Sequence, residues 1–525
     1  MLSNIRIMES QKSESIILDF KVYFRGLWKE SKPLVRLFRT SSRGYLYDTG
    51  TNKILECDDI EFDLLSRLLT MSIDRAIDSF VAEYGNDRFV KTAEKIKNAI
   101  QNENILLTKN ASQFGLSAHY HNFEELVATS LGLLNLEVTE NCNLRCDYCV
   151  YNPHFHEKRN HGSERMPLSV AQLAIQYLKD HSSQSENVYI AYYGGEPLLE
   201  FDLIESCLKF AQDLFQEKQI GYSITTNATL ITPKVAELLF RNKFKVTVSL
   251  DGPEKIHDSY RKDICGNGSF KKTIKGLENL INAYGEEPSK NIVLNMVYTP
   301  PYSGQKLERI SELWNEIPWL PRNIKARLTY PSPGSIPKER LLNADTWEDW
   351  NFLQWSYGKY ADSYLGKGNS HPIANSLLEQ NLAFLIQRPI YEKPLDKYYL
   401  NGCCIPAVRR LYVSAQGRFH ICEKITTNAP TIGSVFSGID LKILKKVYIE
   451  EYDRLSLQIC SDCWALRLCD ACYIHAFENG QLDSTKKKMH CSYVLHSKET
   501  FLNIFCELLE QNKEGLNYLA QYKIS

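Results

Sequence analysis

The sequence lacks a long apolar run, a basic amino-terminal signal and a large excess of either charge. No stretch of about 18 uninterrupted apolar residues occurs, although a membrane-spanning helix needs roughly that length. The first residues do not place an apolar segment after a basic start, as a secretory signal does. The formal net charge is -1, which excludes broad electrostatic capture of nucleic acid or anionic lipid. We therefore expect a cytoplasmic protein with no membrane or nucleic-acid partner.

Cysteine, in contrast, is abundant. The chain has 15 cysteines among 525 residues, and in a reducing compartment metal-binding thiolates explain such a number better than disulfides do. Three cysteines lie within residues 142–149 and eight within residues 403–491, so the sequence predicts two metal-binding regions. The other four are scattered, and we expect them to be small buried side chains: Cys57, Cys207, Cys265 and Cys506.

The chain is too long for one simple core, and its hydropathy divides it into several regions. We predict a tail at 1–16, a small domain at 17–110, a linker at 111–132, a β/α domain at 133–335, a helical connector at 336–400, a cysteine-rich domain at 401–500 and a closing helix at 501–525.

The small domain at 17–110 has the element order of a winged helix. Branched and aromatic residues predict strands at 34–39, 44–48 and 53–56. Three helices follow, with capping residues at Asp58 or Asp59, at Ser72 and at Asp87. The third helix mixes acidic and basic residues, whereas binding to DNA phosphates requires a basic face. A ligand other than DNA is therefore expected here.

The β/α domain contains six short apolar runs, and a helix is predicted after each of the first five. The runs are LNLEVTE (134–140), NVYIAYY (187–193), GYSITTN (221–227), KVTVSLD (245–251), IVLNMVY (292–298) and KARLTY (325–330). Alternating strands and helices predict a parallel sheet, here a partial (β/α)6 barrel. Functional side chains in such folds lie at the C-terminal ends of the strands, so we expect the chemistry at that rim.

Three cysteines follow the first of these strands in the segment CNLRCDYC: Cys142, Cys146 and Cys149. Three thiolates from one loop can hold a 4Fe-4S cluster and leave its fourth iron open to another ligand. A zinc loop that lacks its fourth ligand is the alternative that these residues leave open.

This CxxxCxxC pattern, with Tyr148 before the third cysteine, resembles the signature of the radical S-adenosylmethionine superfamily. The resemblance implies that the cofactor's methionine group chelates the open iron. One electron from the cluster would then release a 5'-deoxyadenosyl radical, which abstracts hydrogen from an unactivated carbon. Gly194, Gly195, Glu196 and Pro197 resemble the family's GGEP motif, which holds the amino group of the cofactor.

Two further segments resemble cofactor-binding parts of the same family. TTNATLIT at 225–232 makes Asn227 a candidate contact, although Ala228 stands where the family usually has glycine. SLDGPEKIHDSYR at 249–261 makes Ser249 and Arg261 candidates for contacts to the ribose or carboxylate of the cofactor. Asp251 is either a site residue or part of a turn, and no catalytic base can be named.

The C-terminal cysteines resemble the SPASM extension, which binds auxiliary iron–sulfur clusters. Gly417 stands between two of them at the family's spacing, but only two residues, instead of the usual three, separate the last pair of the CxxC-x5-CxxC segment. The resemblance implies one cluster on Cys460, Cys463, Cys469 and Cys491, and a second on Cys404, Cys422 and Cys472, with Cys403 as a possible alternate to Cys404.

With the first loop, these groups imply three 4Fe-4S clusters. A second auxiliary cluster with three cysteines would have an iron open to a substrate thiolate. Zinc remains the alternative, because CxxC-x5-CxxC is also a zinc pattern.

The order of the three modules resembles that of maturases of ribosomally made peptides, of the sactipeptide or ranthipeptide type. In that family a leader peptide adds a strand to the small sheet, and our candidate edge is Val35–Arg39. The implied function is to form cysteine thioether crosslinks in a precursor peptide, with electrons from a flavodoxin or ferredoxin.

Three other functions stay open. They are oxidation of a Cys or Ser side chain, as in sulfatase maturation, carbon–carbon crosslinking, and, in another class, an iron–sulfur regulator that binds DNA.

Overall fold

The structure, a computed structural model, describes most of the chain. The described residues are 2–28, 31–110, 122–152, 161–285, 288–332, 334–342, 352–367, 371–395, 397–400, 402, 404–425 and 428–522. The possible alternate ligand Cys403 and half of the predicted linker at 111–132, residues 111–121, lie outside them.

The first element is a helix that the sequence analysis did not predict, α1 (Leu2–Leu27). An antiparallel sheet follows in the order β1 (Val35–Arg39), β2 (Gly44–Asp48) and β3 (Lys53–Cys57). Three helices complete this region: α2 (Asp59–Thr70), α3 (Ile73–Tyr84) and α4 (Asn86–Glu103). The α2 helix begins with a capping box, in which Asp58 accepts from the backbone N–H of Glu61 and the Glu61 side chain accepts from that of Asp58.

The predicted parallel core is the centre of a second sheet. Six parallel strands lie side by side in chain order: β4 (Leu133–Thr139), β5 (Asn187–Gly194), β6 (Gln219–Thr226), β7 (Lys245–Ser249), β8 (Ile292–Val297) and β9 (Lys325–Thr329). They coincide with the six apolar runs, so the prediction of a mainly parallel α/β fold is confirmed.

Two strands from the cysteine-rich region extend this sheet beyond β4, which the sequence analysis did not predict. β10 (Arg410–Val413) runs parallel to β4, and β11 (Phe419–His420) is antiparallel to β10. The C-terminal part of the chain therefore joins the edge of the parallel sheet.

The helices before and between the parallel strands bury one face of the sheet. They are α5 (Phe123–Thr129), α6 (Leu168–Asp180), α7 (Phe201–Leu214), α8 (Pro233–Arg241), α9 (Glu254–Tyr260), α10 (Phe270–Tyr284), α11 (Pro288–Asn291), α12 (Gly304–Ser311) and α13 (Leu313–Glu316). Leu134, Leu136 and Val138 of β4 are fully buried in this core. Because side chains alternate along a strand, Asn135 and Glu137 lie on the opposite face, which is polar.

The remaining elements form the connector and the C-terminal region. They are α14 (Lys338–Leu342), α15 (Phe352–Tyr364), α16 (Pro372–Gln387), β12 (Gly433–Ser434), β13 (Gly438–Ile439), α17 (Leu441–Lys445), a π-helical turn (Lys446–Glu451), α18 (Tyr452–Cys460), β14 (Phe477–Glu478), β15 (Gln481–Leu482) and α19 (Ser484–Gln511). The predicted closing helix thus begins earlier than expected, at Ser484, where Asp483 caps it.

The small N-terminal sheet packs against α19. Phe38, Tyr45 and Tyr47 are buried together with Phe501 and Phe505 of that helix. The opposite face of the sheet packs on α2, α3 and α4. Among the described helices, none is both long enough and apolar enough to cross a membrane.

Candidate functional site

The loop after β4 brings the three cysteines of the first group together. Burial is the main cause that raises the pKa of the Cys142 thiol to about 12, and it also raises the pKa of Cys146 and Cys149. The thiols are close enough to affect one another, because Cys142 and Cys149 both raise the pKa of Cys146. Three thiols in one loop, one of them buried and two half-buried, fit the ligands of a cluster, which binds cysteines as deprotonated thiolates.

Main-chain amides of this loop point at two of the sulfurs. The N–H of Leu144 donates to Cys142 Sγ at 3.4 Å, and the N–H of Tyr151 donates to Cys149 Sγ at 3.5 Å. A thiol is a weak acceptor, whereas a thiolate accepts strongly. The loop therefore suits sulfurs that carry negative charge.

Arg261 reaches the third sulfur from the segment after β7. Its Nη1 donates to Cys146 Sγ at 3.7 Å, and its Nε donates to Asp251 Oδ2 at 3.0 Å. The Asp251 carboxylate also accepts from the Tyr148 hydroxyl and, at 3.0 Å, from the N–H of Val297. Asp251 thus ties the cysteine loop to the ends of two barrel strands.

The GGEP segment lies at the end of β5, beside the end of β4. A Cβ on Gly194 would stand 2.1 Å from the Thr139 carbonyl oxygen, and one on Gly195 would stand 2.1 Å from that of Asn141. Gly194 also has a φ of 133°. These two glycines are required by close contact with the chain's own backbone, in addition to any approach to a ligand.

Glu196 is buried at the C-terminal ends of β5 and β6. Its Oε1 accepts from Thr226 Oγ1 at 2.7 Å and from the N–H of Leu198 at 3.1 Å, and its Oε2 accepts from the N–H of Asn227 at 2.7 Å. Burial raises the pKa of this carboxyl, while the hydrogen bond from Asn227 lowers it. A carboxylate has about four acceptor positions, so three bonds leave capacity on Oε2 for an ammonium. Pro197 is buried at the start of the 3-10 turn that follows.

Asn227 contacts the cysteine loop directly. Its Nδ2 donates to Asn143 Oδ1 at 2.8 Å and lies 3.9 Å from Cys142 Sγ. Ser249 ends β7 and is mostly buried beside Asn295 of β8. The predicted contact residues of the three strands β5, β6 and β7 therefore meet at one rim.

Ala228 has a left-handed backbone conformation, with a φ of 62°. This conformation explains why glycine is usual at the position, because a Cβ raises its energy by roughly 1–2 kcal/mol. The side chain is fully buried, and the Ala228 carbonyl packs where Gly276 leaves room for it. The alanine therefore adds local strain at this position.

The C-terminal cysteines gather as two groups. Burial is the main cause that raises the pKa of Cys463 to about 12, and the nearby thiols of Cys460, Cys469 and Cys491 also raise it. Cys491 comes from α19, whereas Cys460 ends α18. The fold thus brings together the four cysteines that the resemblance assigned to one cluster.

The second C-terminal group contains the other three. Burial is the main cause that raises the pKa of Cys472 to about 11, and the thiols of Cys422 and Cys404 also raise it. Gly417, which stands between Cys404 and Cys422 in the chain, turns the chain from β10 to β11 with a φ of 81°.

Within the described part of the chain, no cysteine forms a disulfide. In the same residues, no group of three or more His, Cys, Asp or Glu side chains is arranged to hold a single metal ion. Convergence on one ion is not what a 4Fe-4S cluster needs, because each thiolate binds a different iron.

Comparison with known proteins identifies the central region. The family model of the Radical SAM superfamily matches residues 136–313. This region is a radical SAM domain. Such domains use a 4Fe-4S cluster and S-adenosylmethionine, and the match contains the cysteine loop, Glu196 and Arg261.

Two curated relatives align with part of the chain. A cysteine-type anaerobic sulfatase-maturating enzyme of Clostridium novyi is 32% identical over 169 residues, which are 32% of this chain and 44% of that protein. The radical SAM cyclopropyl synthase TigE of Paramaledivibacter caminithermalis is 34% identical over 155 residues, which are 28% of this chain and 32% of that protein. The chain therefore spans less than half the length of these relatives.

A solved structure shares the fold over a longer span. Native anSMEcpe with bound AdoMet superposes with a TM-score of 0.53 at 22% identity, covering 73% of this chain and 99% of that chain. At this identity the match concerns the fold.

Two features of the site were not predicted from the sequence. Thr226 binds Glu196, and its position in the TTNA segment was a usable signal. The contact between Arg261 and Cys146 joins residues 115 positions apart, so local sequence carries no signal for it.

Proposed function

We propose that this protein is a radical S-adenosylmethionine enzyme that forms cysteine thioether crosslinks in a precursor peptide. The observation that carries the proposal is the gathering of the C-terminal cysteines into groups of four and three, in a chain that also has a radical SAM domain. A group of three thiolates can hold a cluster and leave one iron for the thiolate of a substrate cysteine.

Each candidate residue has a defined part in this proposal. Cys142, Cys146 and Cys149 would hold the cluster at the barrel rim, and Glu196 would accept from the ammonium of S-adenosylmethionine. When bound, the cluster and cofactor supply a 5'-deoxyadenosyl radical that removes a hydrogen atom from a substrate carbon. Asn227 would orient the loop through Asn143 while the rim positions the peptide.

Thioether formation removes two hydrogens from the peptide. One leaves the carbon as a hydrogen atom. The other leaves the thiol as a proton, and one electron must pass to an acceptor when the sulfur–carbon bond forms. A cluster held by Cys404, Cys422 and Cys472 would be the candidate acceptor, because such a cluster is reducible and its open iron would bind the substrate thiolate.

The N-terminal sheet offers an edge for a leader peptide. The N–H of Thr40 donates to the Arg43 carbonyl and closes the β1–β2 hairpin. Because bonding to an antiparallel partner alternates along a strand, Val35, Leu37 and Arg39 direct their main-chain groups away from β2. A leader strand could bond to these groups by strand addition.

Two variants of one residue test this edge. Leu37→Pro removes the outward main-chain N–H of this residue and leaves every hydrogen bond between β1 and β2 in place. Leu37→Ala also shortens the side chain but keeps that N–H, so the two variants differ chiefly in the N–H. We expect leader affinity to fall at least about tenfold in Leu37→Pro relative to Leu37→Ala, which is about 1.4 kcal/mol. Equal affinities for the two variants would contradict strand addition at β1.

The crosslink itself is tested by mass spectrometry of the precursor after reaction with the reconstituted enzyme. We expect a loss of the mass of two hydrogens per crosslink, and one thiol that resists alkylation for each loss. Fragments on either side of the link should stay joined after reduction. A mass loss with every thiol still alkylatable would contradict thioether formation.

Oxidation of a Cys or Ser side chain is the second candidate function. It is supported by the 32% identity with the sulfatase-maturating enzyme of Clostridium novyi and by the fold shared with anSMEcpe. Such oxidation also removes two hydrogens but leaves no link between residues, so the fragmentation experiment separates the two functions.

A further inference from the structure

Arg261 is a buried arginine whose guanidinium contacts a sulfur of the cysteine loop. Only 8% of the Arg261 side chain is exposed, and only 2% of the side chain of its partner Asp251 is exposed. The guanidinium has two different acceptors. Its Nε donates to the Asp251 carboxylate at 3.0 Å, and its Nη1 lies 3.7 Å from Cys146 Sγ.

The orientation of this arginine is fixed from several sides. Its backbone N–H donates to the His257 carbonyl at 2.9 Å, and its own carbonyl accepts from Ser269 Oγ at 3.0 Å. The guanidinium lies 5.5 Å from the ring centroid of Tyr148, and the hydroxyl of that ring donates to Asp251. The side chain is therefore held against the sulfur by elements on both sides.

A buried ion pair of this kind is poorly explained by stability alone. Desolvation of two charges often exceeds the attraction between them, and a neutral thiol is a weak acceptor for a guanidinium. A thiolate at Cys146 would accept a charge-assisted hydrogen bond from Nη1. The reduction potential of an iron–sulfur cluster depends on hydrogen bonds to its sulfurs and on nearby charge.

We propose that Arg261 is a positioning residue that raises the reduction potential of the 4Fe-4S cluster held by Cys142, Cys146 and Cys149. This inference rests on the cluster assignment made in the proposed function. Reduction adds one electron, supplied by an external reductant, and makes the cluster more negative. A fixed cation that donates to one of its thiolates stabilises that reduced form more than the oxidised form.

The test is a redox titration of the reconstituted full-length protein, followed by electron paramagnetic resonance. The signal of this cluster is identified by its loss in the triple variant Cys142→Ala, Cys146→Ala and Cys149→Ala. In Arg261→Gln we expect the ratio of reduced to oxidised cluster at a fixed potential to fall about tenfold, which corresponds to ~59 mV for one electron. Arg261→Lys keeps the charge and should show a smaller shift of the same sign.

Arg340 of α14 provides a matched control, because its guanidinium also reaches the cysteine loop, at Asp147. Its guanidinium pairs with Asp147 and donates to the Ser259 carbonyl at 3.2 Å, and 38% of its side chain is exposed. Arg340 binds a carboxylate and a carbonyl near solvent, where its charge is screened. Arg340→Gln should therefore change the ratio of reduced to oxidised cluster by less than about twofold.

The outcomes separate this inference from the proposed function. An unchanged potential in Arg261→Gln, with the cluster signal intact, overturns the inference alone. Equal shifts in Arg261→Gln and Arg340→Gln also overturn it, because the contact with sulfur would then have no special effect. If Arg261→Gln does not fold, an unchanged potential in Arg261→Lys overturns it. If the triple cysteine variant keeps every cluster signal of the parent, the cluster assignment fails and the proposed function fails with it.

Discussion

Replacing Glu196 by Gln removes the charge of the carboxylate that we assign to the cofactor's ammonium. The change keeps the size of the side chain. Its amide oxygen can still accept from the N–H of Asn227, and its amide nitrogen can donate to Thr226, because a hydroxyl both donates and accepts. The N–H of Leu198 would then face a donor, which costs roughly 1–3 kcal/mol of folding free energy.

The loss in cofactor binding is separate from this cost in folding free energy. A hydrogen bond to a charged group contributes about 1.5–3 kcal/mol, which corresponds to an affinity lower by about 10- to 150-fold. The assay is equilibrium binding of S-adenosylmethionine to anaerobically reconstituted protein. Glu200→Gln is the matched control, because Glu200 ends the same 3-10 turn but pairs with Arg165 at 3.2 Å. We expect its affinity to stay within about twofold of the parent.

The pH dependence gives an independent check of the same residue. Burial raises the pKa of Glu196, and an ammonium favours the ionised carboxylate. Cofactor affinity of the parent should therefore weaken as the pH falls through that raised pKa, whereas Glu196→Gln should lack this slope. Tight binding by Glu196→Gln, or a slope retained in that variant, would refute the assignment.

Three further predictions concern the clusters and the stability of the fold. Iron analysis after reconstitution should give about 12 irons per chain, and the triple variant Cys142→Ala, Cys146→Ala and Cys149→Ala should lose about four of them. A full iron count in that variant would contradict the assignment of these three cysteines as ligands of the first cluster. Ala228→Gly should raise the free energy of unfolding by up to about 1 kcal/mol, because relief of the left-handed strain exceeds the added chain entropy; a clear loss of stability in denaturant would contradict this. Burial raises the pKa of Asp453 to about 6. Its ionisation therefore lowers the free energy of unfolding as the pH rises from about 4 through 6. Asp453→Asn should raise the melting temperature at pH 7 but not at pH 4.

The six strands β4 to β9 could be predicted from the sequence, whereas strand β10, which pairs with β4, could not. Strands β4 to β9 each contain a run of apolar residues bounded by turns, which is a local signal. β10 has four residues and lies in a region read as cysteine ligands and loops. Its pairing with β4, with Arg410 opposite Leu133, joins residues far apart in the chain and depends on tertiary packing.

The first helix had a local signal that the sequence analysis did not use. Phe20, Phe24 and Trp28 stand at intervals of four residues, which places them on one face of a helix. All three are buried against α3 and α4. The prediction of a tail at 1–16 therefore differs from the structure, in which α1 spans these residues.

The site was predictable in its composition but not in its contacts. The cysteines, Glu196 and Asn227 were found through motifs, and the structure places Asn227 in contact with Glu196 and beside Cys142. Their roles as cluster ligands and cofactor contacts stay predictions. The glycines of the GGEP segment were expected to admit a ligand, yet Gly194 and Gly195 also pack on the backbone of Thr139 and Asn141. Local sequence cannot distinguish these two reasons for a glycine, because both require the absence of a Cβ.

Helix α19 connects the N-terminal sheet with the first C-terminal cysteine group. Arg36 of β1 forms an ion pair with Glu499 on this helix at 2.6 Å, and Cys491 lies eight residues earlier, about 12 Å along the helix axis. Phe38 and Tyr45 of the sheet are buried on the same helix. Removing the N-terminal region would expose this apolar face, so loss of activity in a truncated protein would not separate leader binding from damage to the cysteine group. Single changes at the outward edge of β1 leave that packing in place, and they are the sharper test of how the peptide is recognised.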